Sequence, residues 1–165
     1  MVAIKKNPTD SVWQLLATIP DPEIPVVNIC EMGMVRDVKI EEEKVEVSIS
    51  PTYTACPAMG IIAADIKQLL HSQGIYEVEV KTIYHPAWTT DLLSNQVKEK
   101  LKNYGIAPPV DSNCMNWLHP DQQKISCPHC GSTSTRLVSQ FGSTPCKSHY
   151  QCHDCLEPFD YFKCH

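Results

Sequence analysis

Glycine and arginine are both scarce in this chain of 165 residues, which holds six glycines and only two arginines, Arg36 and Arg136. The glycines, at positions 33, 60, 74, 105, 131 and 142, compose neither a Gly-x-Gly-x-x-Gly turn nor a Walker loop, so nucleotide and nicotinamide sites lack their usual phosphate cradle. With so little arginine and a net charge of −5 there is no basic face for a phosphate backbone, which argues against nucleic acid as a partner. No Glu-x-x-His pair is present, which disfavours a carboxylate-bridged di-iron centre on bundle helices. A Gly-x-Ser-x-Gly nucleophile elbow is missing too. If the protein takes part in redox chemistry, the hard step lies elsewhere. The longest apolar run, Ala58 to Ala64, is too short to cross a bilayer. The opening MVAIKKNPTD turns polar where a secretion signal needs an apolar core. The expectation is a cytoplasmic protein with no membrane and no nucleic-acid partner.

What the chain does hold is nine cysteines, thirteen prolines and a hydrophobic fraction of 42%, near the globular average. In a reducing compartment such cysteines serve as metal ligands or reactive thiols rather than disulfides. They are unevenly spread. Residues 1–105 contain two, Cys30 and Cys56, and carry ten basic against fourteen acidic side chains. The remaining sixty residues hold seven cysteines and nine charged side chains. This shift predicts a first domain over 1–105, a proline-bearing linker over 106–124 and a cysteine-rich domain over 125–165.

In the first part Asp10 is placed to cap a helix whose Val12, Leu15, Leu16 and Ile19 share one face. Val45, Val47 and Ile49 alternate with polar residues as a half-buried strand does. Met34 to Ile40 is its hairpin partner through the acidic turn at Glu41–Glu43. A second helix is expected from Pro57 to Gln73, closing at Gly74, then a strand over Ile75 to Ile83, then a helix capped by Ser94 over Gln96 to Tyr104. The fold class is α+β, a small sheet with helices packed on it, followed by a β-rich ribbon.

In the second part Cys127-Pro-His-Cys130 and Cys152-His-Asp-Cys155 are two Cys-x-x-Cys pairs with twenty-one residues between them. Each pair aims two thiolates at one point, and two such turns complete a tetrahedral site for one structural zinc, with mononuclear iron as the alternative. So short and core-poor a segment needs metal to fold. His129, His149, His153 and His165 are nearby competitors for the ion. Cys146 and Cys164 are either buried packing residues or accessory thiols of a second, labile site. The closing run Glu157-Pro-Phe-Asp-Tyr-Phe-Lys-Cys reads as the last strand of the ribbon, its aromatics divided between core and a docking surface.

One position in the first domain looks reactive. Cys56 precedes the helix expected at Pro57, where first-turn N–H groups and the helix dipole favour a thiolate; the alternative is a small buried residue at a turn. Asp21 and Glu23, in the proline-stiffened loop Asp-Pro-Glu-Ile-Pro-Val, are candidate partner carboxylates, or simply turn formers.

At these residues the chain resembles a family. Asp21-Pro-Glu-Ile-Pro-Val, Glu31-Met-Gly-Met-Val-Arg and Thr52-x-x-x-Cys56-Pro57 are similar to the small domain shared by SufT-like proteins and eukaryotic cytosolic iron–sulfur targeting factors. Pro86-Ala-Trp-Thr-Thr-Asp-Leu, Phe141-Gly-Ser-Thr and the aromatic ending narrow the resemblance to the PaaD components of the ring 1,2-phenylacetyl-CoA epoxidase of phenylacetate degradation. The resemblance implies an accessory, non-catalytic subunit that assists metal or iron–sulfur maturation of a partner, the di-iron oxygenase or the iron–sulfur reductase. Cys56 would then be the transfer or docking thiol, and iron or an iron–sulfur cluster a transient passenger. Two other readings stand beside it: an electron-transfer component of the same oxygenase, and a metal-dependent protein-interaction module.

Overall fold

Pro8 opens the first helix, α1 (Pro8–Leu16). Proline at the first helical position gives up only an N–H that has no partner there. The helix therefore starts two residues before the Asp10 expected at its cap, and Asp10 lies in the first turn, where the positive end of the helix dipole favours a carboxylate. This computed structural model describes residues 8–110 and 124–163. They fall into two compact units, one of residues up to 51 together with 57–88, the other of 52–56 with the chain from 89 onward.

The first unit is built on a three-stranded sheet. Strands β1 (Val35–Glu41) and β2 (Lys44–Ile49) form an antiparallel hairpin, with Glu42 at φ 55° in the turn. Helix α2 (Met59–Ser72) carries the chain to β3 (Val78–Thr82), which pairs parallel to β2, giving the order β1-β2-β3. A register shift between Val35 and Asp37 lets both Val35 and Val38 face the core. Val45, Val47 and Ile49 are buried, as are the stripes of α1 (Val12, Leu16) and α2 (Ile62, Ile66, Leu70), with α1 packed against β1 and α2 against β3. Each such side chain contributes roughly 1.5–3 kcal/mol through burial. The opposite ladder face carries charges, with Lys44 bonded to Glu79 at 2.6 Å and Lys81 to Glu46. Helix α2 closes as expected: Gly74, at φ 82°, donates its N–H to His71 O and lets Ile75 N reach Leu70 O.

In the second unit a 3-10 turn at Thr90–Leu92 leads to α3 (Asn95–Asn103), capped by Ser94, whose hydroxyl accepts the N–H of Val97 at 3.3 Å. Four short strands follow: β4 (Ile106–Ala107), β5 (Thr135–Ser139), β6 (Lys147–Cys152) and β7 (Pro158–Phe162), in the order β4-β7-β6-β5. Ile106 and Ala107, read from sequence as the first residues of a linker, thus form an edge strand parallel to β7. Residues 111–123, the bulk of that linker, lie outside the described residues, as does Cys164. The ribbon core gathers Ile125, Tyr150, Phe159 and Tyr161 beside Cys127 and Cys152. Tyr150 stacks on Phe159 at 5.9 Å between ring centroids and meets Tyr161 edge-on at 5.8 Å. The expectation that some terminal aromatics face outward is corrected here. Phe159 and Tyr161 join the ribbon core from one face of β7, and Phe162 on the other face is buried as well, so both faces of the strand are covered. No helix among the described residues is long and apolar enough to cross a membrane.

Candidate functional site

Cys127 and Cys130 sit in a knuckle tied by Gly131 N to Cys127 O at 2.9 Å and Cys127 N to Ser132 O at 2.8 Å, with Gly131 in the left-handed region at φ 78°. Cys152 ends β6, and the chain turns back through Cys155 and Leu156 (φ 65°) so that Cys152 N reaches Glu157 O at 3.0 Å. The two knuckles bring all four sulfurs within 4.8 Å of one another. Cys127 Sγ lies 3.7 Å from Cys155 Sγ, and Cys130 Sγ 3.6 Å from Cys152 Sγ. A tetrahedral zinc thiolate centre with bonds of about 2.3 Å has edges of about 3.8 Å, so the donor set and its spacing fit that ion.

The electrostatics agree. The Cys152 thiol is lowered to about 7, first by the N–H of Cys155 and then by that of Asp154, against desolvation. Cys155 is pushed up to about 12: the N–H of Glu157 favours its thiolate, but desolvation and the neighbouring thiols outweigh it. Four like charges at this separation need a cation among them. Among the described residues this is the one group of three or more His, Cys, Asp or Glu side chains close enough to hold a metal. His129, His149 and His153 do not join it, and His165 lies outside the described residues.

Cys56 lies elsewhere in the second unit. Helix α2 starts at Met59 with Ala58 as its cap residue, so Cys56 stands two residues ahead of the cap and not at it, as the proline at 57 had suggested. It is half-buried in a turn closed by its own N–H to Tyr53 O at 2.8 Å. Tyr53 leads to a contact the sequence did not disclose. The Lys163 ammonium lies 5.9 Å from the Tyr53 ring centroid and 4.5 Å from that of Phe141, and it donates to Gln140 O at 3.2 Å. Its backbone N–H bonds Cys146 O at 3.0 Å. Burial lowers its pKa, while the Cys146 sulfur's charge acts the other way. Cys146 is buried, its Sγ 3.1 Å from Thr144 Oγ1. Three separate sequence motifs, around Tyr53, Phe141 and Lys163, thus converge on one ammonium group, and the only trace of this in the sequence is that all three carry the family resemblance.

Asp21 and Glu23 belong to the first unit. Asp21 is buried, and its Oδ1 accepts the N–H groups of Glu23 and Ile24, both at 2.8 Å. Its carboxylate organises the loop that holds Glu23. The next turn is held likewise: Asn28 Oδ1 accepts the N–H groups of Cys30 and Glu31, and Glu31 Oε2 accepts that of Asn28. Burial, and then the Glu31 charge, push the Cys30 thiol up to about 12. Trp88 bridges two motifs by donating Nε1–H to Met32 O at 2.7 Å.

Comparison with known proteins places these features in context. Residues 9–83 match the family model described as "Iron-sulfur cluster assembly protein", and residues 112–163 match "PaaD zinc beta ribbon domain". The chain is 44% identical to a protein of Escherichia coli (strain K12) named as the D component of 1,2-phenylacetyl-CoA epoxidase, over 93% of this chain and 91% of that protein. A protein of Porphyromonas gingivalis named "Fe-S protein maturation auxiliary factor" is 29% identical over 56% of this chain and 89% of its own length. Among solved structures, a Bacillus anthracis domain of unknown function, DUF59, superposes with a TM-score of 0.53 at 28% identity, covering 56% of this chain and 90% of that domain.

Proposed function

The chain belongs to the PaaD family of 1,2-phenylacetyl-CoA epoxidase components, and from that premise we propose that it is an accessory subunit of that system, assisting metal or iron–sulfur maturation of the di-iron oxygenase or the iron–sulfur reductase. One observation carries this reading. The residues that match an iron–sulfur assembly model are joined to a four-thiol ribbon in one chain that aligns nearly end to end with a PaaD protein.

In this reading the ribbon holds one zinc through Cys127, Cys130, Cys152 and Cys155, and the ion supplies folding free energy and no redox chemistry. Iron, or an iron–sulfur cluster, is cargo. Cys56 is the docking or transfer thiol, in a turn the second unit holds in place. Asp21 fixes its loop, and Glu23 is the carboxylate on that loop that a client would meet. Cys146 contributes packing, being only 5% exposed.

The test separates assembly from turnover. Cys56→Ala should keep its own zinc and fold while lowering the iron content of the oxygenase or reductase produced in the same cells. Epoxidase assembled in the presence of this chain, then purified free of it, should continue to epoxidise phenylacetyl-CoA with electrons from the reductase. A need to add the chain back to fully metallated partners would sink the reading and favour an electron-transfer component.

A further inference from the structure

The β1–β2 hairpin holds a cation, drawn partly out of solvent, with no ion-pair partner among the described residues. Arg36 is half-buried and its Nη1 is shielded from solvent without a hydrogen-bond partner. Among the described residues its side chain makes neither a hydrogen bond nor an ion pair. Of the acids on the sheet, Asp37 pairs with Lys39 at 3.7 Å, Glu79 with Lys44 at 2.6 Å, and Glu46 with Lys81. Ser50, only 1% exposed, is in the same position, its Oγ buried without a partner.

These two orphans share one face of the hairpin. Val35 pairs with Ile49 and Asp37 with Ser48, so Arg36 is the extra residue of a bulge opposite Ser48. Val35, Val38, Val47 and Ile49 take the core face, which leaves Arg36, Ser48 and Ser50 on the other. Ser50 is then the diagonal neighbour of Arg36, a backbone separation of about 7–8 Å that an arginine side chain spans. The hairpin is fixed at this end by Ser50 N to Met34 O at 2.7 Å. Bulges commonly re-aim a side chain beside a functional site.

Desolvating a guanidinium without a counter-charge is unfavourable, and water can satisfy its N–H groups but not its charge. Its planar fork matches the two oxygens of a carboxylate or phosphate, and a serine hydroxyl beside it adds a third donor. We propose that Arg36 and Ser50 form a receptor for an oxyanion, a carboxylate or a phosphate group. The proposal stands on the first unit alone and is independent of the maturation reading.

Thermal melting of the zinc-loaded full chain tests it, at constant ionic strength in chloride, acetate or inorganic phosphate, each at low millimolar concentration. The wild-type midpoint should rise saturably in acetate or phosphate, and the anion that saturates at the lower concentration identifies the preferred ligand class. Arg36→Met should melt in chloride at or above the wild-type midpoint, since it removes an unbalanced charge, and should show no oxyanion-dependent rise. That comparison also subtracts general salt stabilisation. Ser50→Ala should retain the rise but need several-fold more anion to reach it. The proposal fails if wild type responds no more to either oxyanion than to chloride, if Arg36→Met responds as wild type does, or if Arg36→Met melts well below wild type in chloride or does not fold, since the guanidinium would then already be satisfied within the protein.

Discussion

Serine at Cys127 would preserve side-chain size but replace a thiolate with a hydroxyl that stays protonated, so the ribbon loses a ligand at a fully buried corner. Cys127→Ser is expected to lose nearly all bound zinc and to expose residues 124–163 to limited proteolysis, as metal analysis and digestion would show; full zinc retention would refute the ligand set. The residue after each knuckle offers a finer test. Both adopt the left-handed conformation, Gly131 at φ 78° and Leu156 at φ 65°, but Leu156 carries a side chain there and leaves it 69% exposed. Left-handed backbone costs a non-glycine residue about 1 kcal/mol, and an exposed leucine returns little through packing. Leu156→Gly should therefore raise stability by about 1 kcal/mol, and Gly131→Ala should lower it by a similar amount. At Gly131 an added Cβ meets nothing within 4 Å, so that loss would be purely conformational. Denaturant midpoints of the zinc-loaded protein measure both, and equal midpoints would mean the backbone relaxes out of the left-handed region.

Among the elements, α3 depends on its capped end. Only Val97 and Leu101 anchor it in the unit, and nine residues make a helix too short to hold itself in water. Ser94 supplies the missing acceptor at its first turn, so Ser94→Ala is expected to cost about 1 kcal/mol and Ser94→Asp to restore it. Urea unfolding followed by circular dichroism would show this, and an unchanged midpoint for the alanine variant would mean the cap is replaced by water without loss. Ser94 was legible as a cap because an acceptor directly before a helical pattern is a local signal. The start of α2 was not legible: Pro57 satisfies the rule for a first helical residue, but the chain spends Tyr53–Cys56 closing another turn first. Two residues of delay move Cys56 off the helix cap.

For the molecule as a whole, the division into two units sets what metal removal should do. Residues 52–56 and α3 group with the ribbon, while the α1, α2 and three-stranded sheet core closes without a metal site among its described residues. Stripping zinc with a chelator is expected to erase the native amide resonances of β5, β6 and β7, and with them those of α3 and Thr52–Cys56. Those of β1, β2 and α2 should persist. Survival of the α3 resonances in the metal-free protein would put the working boundary near residue 105, where the composition shift lies, and loss of every resonance would mean that the two units fold as one.

Sequence alone determined whatever depends on spacing along the chain. The two Cys-x-x-Cys pairs specify four thiols because a knuckle is a local turn, and Val45, Val47 and Ile49 specify a strand because side chains alternate every residue. Helix, strand and turn order in the first unit follows from the same short-range periodicity. Only the tertiary structure decided matters of long-range proximity: that Ile106–Ala107 pairs with β7, that Tyr53, Phe141 and Lys163 meet, that the terminal aromatics are all inside, and that Arg36 Nη1 is shielded without a hydrogen-bond partner among the described residues. Each of these joins residues distant in sequence or depends on which neighbours cover a side chain. Local pattern constrains neither, because burial is a property of the packed assembly and not of the segment.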